Sequence, residues 1–165
     1  MNKIFDKLNP WLTKAYALGA ALILFEWDNE TEAPEAASEL TARAIEVLSN
    51  DYYETIINRD VKKLLNQLSE EKNLTDKERA ILKDLKKQYE SMEPIPPEEY
   101  QSYQGLIARA PSIWAKAKAA DDYNIFAPTL KEIINYQKKF IKYRLKAGKK
   151  KITPYLLILP SMFFL

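Results

Sequence analysis

The chain has 165 residues, and neither histidine nor cysteine is among them. Those two side chains supply most zinc ligands and many catalytic nucleophile and base pairs, so the common zinc sites and Ser–His or Cys–His catalysis are excluded for this chain alone. Hydrophobic residues make up 47%, and 25 Lys and Arg residues nearly balance 23 Asp and Glu residues. This composition is typical of a globular domain and selects no charged partner.

The first helix is predicted to begin at Asn9-Pro10, because asparagine caps helices and proline loses no hydrogen bond at the first helical position. It is predicted to run to about Trp27. Its apolar residues surround it nearly completely, so we expect it to be buried. A second helical pattern begins at Pro34. The residues of its stripe predicted to face the core are Ala37, Leu40, Ala44 and Val47.

Two shorter helices are predicted next. The first has an apolar stripe made of Val61, Leu64, Leu65 and Leu68. Thr75 and Glu78 then have the spacing of a capping box, in which each side chain satisfies an amide of the other residue. The helix that this box opens carries Ile81, Leu82, Leu85, Tyr89 and Met92. The prolines at positions 94, 96 and 97 are predicted to end it.

The last two helices complete an all-α fold of five or six helices. The clearest stripe contains Tyr100, Tyr103, Ile107, Ala110, Trp114 and Ala117. Pro111 is expected to kink or divide this helix. The final helix is predicted from Ala127-Pro128 to Ala147-Gly148. Its residues predicted to face inward are Leu130, Ile133, Ile134, Phe140, Ile141 and Leu145.

The composition changes after this helix, which predicts a helical domain over residues 1–148 and an atypical tail over 149–165. The tail has three lysines followed by fourteen uncharged residues. Docking into the bundle and contact with a membrane are both open interpretations, but two prolines and the short length disfavour a membrane anchor. The N-terminus lacks the pattern of a secretory signal, so we expect a cytoplasmic location.

An acidic cluster extends from the end of the first predicted helix into the start of the second, with no basic residue before Arg43. Its members are Glu26, Asp28, Glu30, Glu32, Glu35 and Glu39. Four of them match positions of a calcium-binding loop, but Ala33 occupies the position at which the sharp turn requires glycine. We interpret the cluster as an acidic helix start, which the helix dipole favours, and expect no metal there.

The last predicted helix ends in a run of basic residues without an intervening acid. These are Lys138, Lys139, Lys142, Arg144, Lys146, Lys149, Lys150 and Lys151. Such a run can neutralise phosphates, with Tyr136, Tyr143 and Tyr155 available to stack on bases. We favour a solvated helix face whose cations complement the negative C-terminal end of the helix. We therefore expect neither a nucleic-acid nor a membrane partner.

The segment at 24–34 resembles a known signature. Trp27, Asp28, Thr31 and Pro34 match the Trp-Asp-x-x-Thr-x-x-Pro pattern near the N-terminus of the carboxypeptidase Taq family, the thermostable metallocarboxypeptidases. Further similar stretches lie at 113–118, 122–128 and 141–144, and the similarity covers about residues 10 to 154. The resemblance implies a helical, bundle-like fragment of a larger, mostly helical metallopeptidase fold, in which these helices form one wall of a substrate cleft.

The resemblance also implies an activity that this chain lacks the residues to perform. Members of that family are cytoplasmic, commonly dimeric enzymes that remove C-terminal residues from peptides, using zinc or cobalt held by an H-E-x-x-H helix and a distant glutamate. All of those ligands lie downstream of the portion represented here. No catalytic, cofactor-binding or metal residue can be carried over, so no cofactor is expected in this chain. Trp27, Asp28, Thr31 and Pro34 are interpreted as structural: an aromatic plug, a capping acid and a helix start.

Two functions are therefore weighed. The first is an N-terminal fragment of a metallocarboxypeptidase, inactive alone, whose reading frame we hypothesise to be truncated or shifted near residue 153. The second is a stand-alone helical module that binds a protein or peptide. A third interpretation uses the basic end and apolar tail to bind nucleic acid or a membrane surface. The first predicts self-association through uncovered apolar faces.

Overall fold

The computed structural model describes residues 3–148 and confirms the all-α prediction. Within that range there are six α-helices, two short 3-10 turns at Glu35–Ala37 and Tyr123–Ile125, and no strand. The helices are α1 (Lys3–Thr31), α2 (Ser38–Ile56), α3 (Arg59–Glu70), α4 (Asp76–Met92), α5 (Pro97–Ala119) and α6 (Ala127–Lys146). None of the helices in this part of the chain is both long enough and apolar enough to cross a membrane.

The predicted start of the first helix is wrong, because α1 begins at Lys3 and contains Pro10 in its interior. Phe5 and Leu8 are among the most deeply buried large side chains of the described residues. Proline removes one helical hydrogen bond at this position. Burying two large apolar side chains contributes about 1.5–3 kcal/mol each, which offsets that loss and extends the helix toward the N-terminus.

The predicted burial of α1 on all sides is also wrong. Ala15 is buried and Leu22 packs against Ala42, Ile45 and Ala108 of a small core cluster. On other sides of α1 large apolar side chains are exposed, among them Leu24 and Trp27. The reason is that α1 packs mainly against α2 and α3, which leaves part of its circumference uncovered.

The stripe predicted to bury α2 lies on the opposite face. Leu40 is 74% exposed and Val47 58% exposed, whereas Ala42 and Ser49 are almost fully buried. Both faces of α2 carry regularly spaced apolar or small residues, so periodicity alone did not decide between them. Small buried residues allow a neighbouring helix to approach closely, and α5 and α1 are the main neighbours of α2.

The predictions for α3 and α4 are confirmed. Val61, Leu64, Leu65 and Leu68 are all buried. The Asn58 side chain accepts a hydrogen bond from the Val61 amide and caps α3. At α4, Thr75 and Glu78 form both bonds of the capping box, and the helix ends at Met92 before the proline segment. Ile95 within that segment is buried, and its carbonyl accepts a hydrogen bond of 2.7 Å from the Tyr53 hydroxyl.

The predicted bounds of the last helix are confirmed, and α5 is continuous through Pro111. Division of α5 at this proline is therefore wrong. Tyr103, Ala110 and Ala117 are buried in α5, and Ile133 and Phe140 are buried in α6. Two residues predicted to face inward do not: Ile134 and Leu145 are exposed, because α6 packs mainly on α5 and the 3-10 turn beside it. The predictions for residues 149–165 lie outside the described residues.

Candidate functional site

The strongest polar cluster among the described residues joins α2 to α5 through Arg109. Its guanidinium donates two hydrogen bonds to Glu39, of 2.9 and 3.2 Å, and a third of 2.8 Å to Glu46. Glu39 also pairs with Arg43, one turn along the same helix. The bonds from Arg109, followed by that from Arg43, lower the pKa of the Glu39 carboxyl below its usual value. Charge-assisted hydrogen bonds of this kind hold the two helices in a fixed relative position.

Gly105 allows α2 and α5 to approach each other at this cluster. A Cβ atom placed on Gly105 would lie 1.8 Å from Glu46 Oε1 and 2.4 Å from its Cγ. The absence of a side chain therefore creates the space in which Glu46 reaches Arg109. Nearby, Asn29 of α1 donates a hydrogen bond of 3.2 Å to the carbonyl of Ala108, so α1, α2 and α5 meet here. Glycine in a helix interior destabilises the helix. Its presence at such a position therefore indicates that another part of the structure approaches the backbone closely there.

The structure describes the side chains of four of the six members of the acidic cluster predicted from the sequence: Glu26, Asp28, Glu32 and Glu39. Glu39 is bound to Arg109 and Arg43. The side chains of Glu30 and Glu35 lie outside the described part of the chain, and among the described side chains no group of three or more Asp or Glu residues is placed to hold a metal ion. Asp28 lies near the end of α1, where its carbonyl accepts from the amides of Glu32 and Ala33. The described carboxylates therefore do not fit a zinc, cobalt or calcium ion.

Two of the interpretations of the signature residues are wrong. Trp27 is 69% exposed and fills no core position, so it is not an aromatic plug here. Asp28 lies in the last turns of α1, at the opposite end from the one that an acidic residue caps. Thr31 donates a hydrogen bond of 2.7 Å to the Trp27 carbonyl. Pro34 precedes the 3-10 turn that leads into α2, as a helix start would.

The second feature is a row of exposed apolar side chains along α1, which we name the α1 apolar stripe. α1 and α2 are antiparallel, because Gly19 lies beside Tyr52 while Leu22 packs with Ala42 and Ile45. Helical periodicity places the exposed residues of each helix in one stripe. The α1 apolar stripe consists of Tyr16, Ile23, Leu24 and Trp27, and Leu40 and Val47 are exposed separately on α2.

The basic end of α6 is divided between two roles. Lys139 pairs with Glu99 at 3.6 Å and lies 5.3 Å from the Tyr136 ring, and Arg144 donates to the Ser91 carbonyl. These two residues contact α5 and α4. By contrast, Lys131, Lys138 and Lys142 are exposed on the opposite side of the helix. Lys138 and Lys142, which belong to the predicted basic run, are therefore exposed to solvent, and Lys131 lies outside that run.

The sequence matches the family model described as "Carboxypeptidase Taq (M32) metallopeptidase" over residues 7–160. It is 34% identical over 124 residues to Carboxypeptidase 1 of Bacillus subtilis and 27% identical over 142 residues to Thermostable carboxypeptidase 1 of Pyrococcus furiosus. These alignments include 74% and 86% of this chain but only 25% and 28% of the relatives. The chain thus spans about a quarter of the length of the curated relatives that it matches.

The fold agrees with the sequence match. A crystal structure described as BsuCP superimposes with a TM-score of 0.83 at 29% identity, and the match covers 93% of this chain and 30% of that structure. The helical order and packing described above are therefore those of part of a larger protein of this type. The chain belongs to the carboxypeptidase Taq family of metallopeptidases.

Proposed function

We propose that this chain forms a non-catalytic helical portion of a metallocarboxypeptidase fold and does not cleave peptides by itself. The observation that carries the proposal is the family match over residues 7–160 in a chain that has no histidine. In metallopeptidases of the H-E-x-x-H type, two histidines hold the ion and the glutamate activates the bound water. The described acidic residues offer no substitute arrangement of ligands.

The resemblance supports different roles for two portions of the complete fold. Zinc or cobalt and the peptide substrate belong to the portion that carries the ligands, and the helices of the present chain form a wall beside it. We propose residues 1–148 as this structural unit and 149–165 as a separate tail, with a cytoplasmic location. The Arg109 cluster supports the structural role, because it uses three charged side chains to hold α2 against α5.

A graft tests the structural role directly. Residues 7–148 of this chain replace the matching segment of Carboxypeptidase 1 of Bacillus subtilis, and release of C-terminal residues from a peptide is measured with cobalt or zinc present. We expect metal-dependent cleavage, and none from the host protein lacking the segment. A folded graft that holds one metal ion per chain but has no activity contradicts the proposal.

A second candidate function is a stand-alone module that binds a protein or peptide. The observation in its favour is the α1 apolar stripe, where Tyr16 is 81% exposed and Trp27 is 69% exposed. Such contiguous apolar surface is typical of interaction sites. Two results together would favour this candidate over the first. The chain would bind a defined peptide saturably, with the binding lost in Trp27→Ala, and the graft would be inactive.

A further inference from the structure

We propose that the α1 apolar stripe is the docking site for the C-terminal segment of the same chain, residues 158–165. The contact is intramolecular, and residues 149–157 are the connection between α6 and the docked segment. It goes beyond the proposed function and does not depend on it. The proposal rests on the exposure of the stripe, the place where α6 ends, and the length and composition of the chain that follows.

The acceptor surface lies in the C-terminal half of α1, where exposed apolar side chains are most concentrated. Ile23, Leu24 and Trp27 are 66%, 68% and 69% exposed, and Phe25 between them is 36% exposed. In the rest of residues 3–148, no two exposed large apolar side chains are adjacent in the sequence. Single exposed apolar residues are ordinary, whereas a concentrated group is typical of a docking site.

The charge beside the stripe favours an occupant that is uncharged or basic. Glu26, Asp28 and Glu32 are exposed on α1, and the sequence has no basic residue between Lys14 and Arg43. An acidic occupant would place like charges next to each other. Residues 152–165 carry no charge, and the three residues before them are lysines. The segment that follows α6 therefore has the composition that the stripe requires.

The end of α6 lies at the same level of the molecule as the middle of α1. Tyr143 donates a hydrogen bond of 2.8 Å to Glu99 at the start of α5. The next residue of α5, Tyr100, has its ring centroid 5.3 Å from that of Tyr53 in α2. The residue before Tyr53 lies beside Gly19 of α1. Three steps between neighbouring helices thus lead from the end of α6 to the stripe.

The chain after residue 148 is long enough to make this connection. Packed helices lie about 8–10 Å apart, so three steps amount to at most about 30 Å. Nine extended residues, 149–157, cover about 30 Å. The remaining eight, 158–165, extend over about 26 Å, whereas the stripe from Tyr16 to Trp27 is about 16 Å long.

Tethering favours this occupant over a separate molecule. A segment joined to its site by a short flexible connection is present there at an effective concentration of about millimolar. The apolar side chains of the segment include Ile158, Leu159, Met162, Phe163 and Phe164. Docking removes apolar surface of both the stripe and the segment from water, which is the main favourable contribution to such a contact.

Cysteine labelling tests the contact, because the chain has no cysteine of its own. Leu24→Cys introduces one thiol within the stripe, and its rate of reaction with a maleimide is measured in the full chain. A second protein carries Phe163→Asp and Phe164→Asp in addition. We expect its thiol to react about tenfold faster, because carboxylates are not buried against an apolar surface and the stripe is then uncovered.

Two matched variants control for charge and for unfolding. Ile152→Asp with Thr153→Asp makes the same change of charge in the connection and is expected to leave the reaction rate at position 24 unchanged. Tyr123→Cys introduces a thiol in the second 3-10 turn, at a side chain that is 60% exposed. Its rate is expected to be the same with and without Phe163→Asp and Phe164→Asp. Circular dichroism establishes that each variant is folded, and Ile23→Cys replaces Leu24→Cys if the latter is not.

Three results would overturn the proposal. The first is an equal rate at position 24 with and without the two aspartates of the docked segment. The second is an equal acceleration at positions 24 and 123, because the effect is then not confined to the stripe. The third is protection of position 24 that disappears when the full chain is diluted, because the occupant is then a second molecule.

Discussion

At the scale of single residues, Gly105 and Glu46 make the most specific prediction. Gly105→Ala places a methyl group where the Glu46 side chain lies, so Glu46 must rotate away and lose its bond to Arg109. Losing a charge-assisted hydrogen bond destabilises the folded state by about 1.5–3 kcal/mol. Replacing glycine by alanine stabilises the helix by about 1 kcal/mol through its higher helix propensity. We expect a net loss of about 1 kcal/mol in the free energy of unfolding, measured in urea.

The same substitution has two internal controls. In a Glu46→Ala background the clash is absent, so Gly105→Ala is expected to stabilise the chain by about 0.5–1 kcal/mol. Gly19→Ala is a second control, because its Cβ meets only the Tyr52 ring at an ordinary 3.7 Å. If Gly105→Ala has the same effect with and without Glu46, the close approach does not govern this position.

Tyr53 makes a second prediction at this scale. Its hydroxyl donates to the Ile95 carbonyl in a buried position. Tyr53→Phe leaves that carbonyl without its donor, which is expected to cost about 1–3 kcal/mol of unfolding free energy. Tyr123→Phe removes a hydroxyl from a side chain that is 60% exposed and is expected to change stability little. Equal effects of the two substitutions would show that the hydrogen bond from Tyr53 to the Ile95 carbonyl does not stabilise the fold.

Tyr100 makes a prediction about how the free energy of unfolding depends on pH. Burial raises the pKa of its hydroxyl to about 12, against an unfolded value near 10. The folded state therefore holds the Tyr100 proton more tightly than the unfolded state does. The resulting stabilisation is complete below the pKa of the unfolded state, and it is lost as pH rises through the pKa of the folded state. We expect the free energy of unfolding to fall between about pH 10 and 12, and to fall less steeply in Tyr100→Phe. An identical slope in both proteins would show that Tyr100 does not contribute.

At the scale of secondary-structure elements, the start of α4 depends on its capping box. Thr75 accepts from the Glu78 amide, and the Glu78 carboxylate accepts from the Thr75 amide at 2.9 Å. Thr75→Ala is expected to cost about 1 kcal/mol of unfolding free energy, whereas Thr75→Ser keeps an acceptor and should cost little. A loss of the same size in both variants would mean that the cap does not stabilise the helix.

The elements differ in how well the sequence predicts them, and the reason is physical. α3 and α4 have one apolar stripe each and side chains that cap their first turns, so local signals alone define them. The start of α1 is not predictable in this way, because it depends on burying Phe5 and Leu8 against distant residues. The face of α2 that packs is decided by small residues such as Ala42 and Ser49, which a hydrophobic stripe does not reveal.

The candidate site was predictable only in part. The sequence indicated the lysines of α6 and the acidic segment, because both are continuous in the chain. Arg109 and Glu39 are 70 positions apart, and their pairing appears only when α2 and α5 are packed together. The exposure of Trp27 was missed for a related reason: an apolar sequence predicts burial without indicating which surface is covered.

At the scale of the whole molecule, partial coverage of the family fold is the dominant fact. The chain matches 25–30% of the length of its relatives and solved neighbours while retaining their helical packing. Two internal clusters, one around Tyr53 and Leu68 and one around Tyr103 and Phe140, give it a core of its own. Because this core contains no metal ligand, we expect the chain to fold without a bound metal ion.

The most direct test is a single sample assayed for both metal and turnover. The purified chain is incubated with zinc or cobalt and dialysed, its metal content is measured by elemental analysis, and the release of C-terminal residues from a peptide is followed. If the chain is a scaffold without metal ligands, we expect far less than one tightly held ion per chain and no more peptide cleavage than in buffer alone. One ion per chain together with metal-dependent cleavage would contradict it.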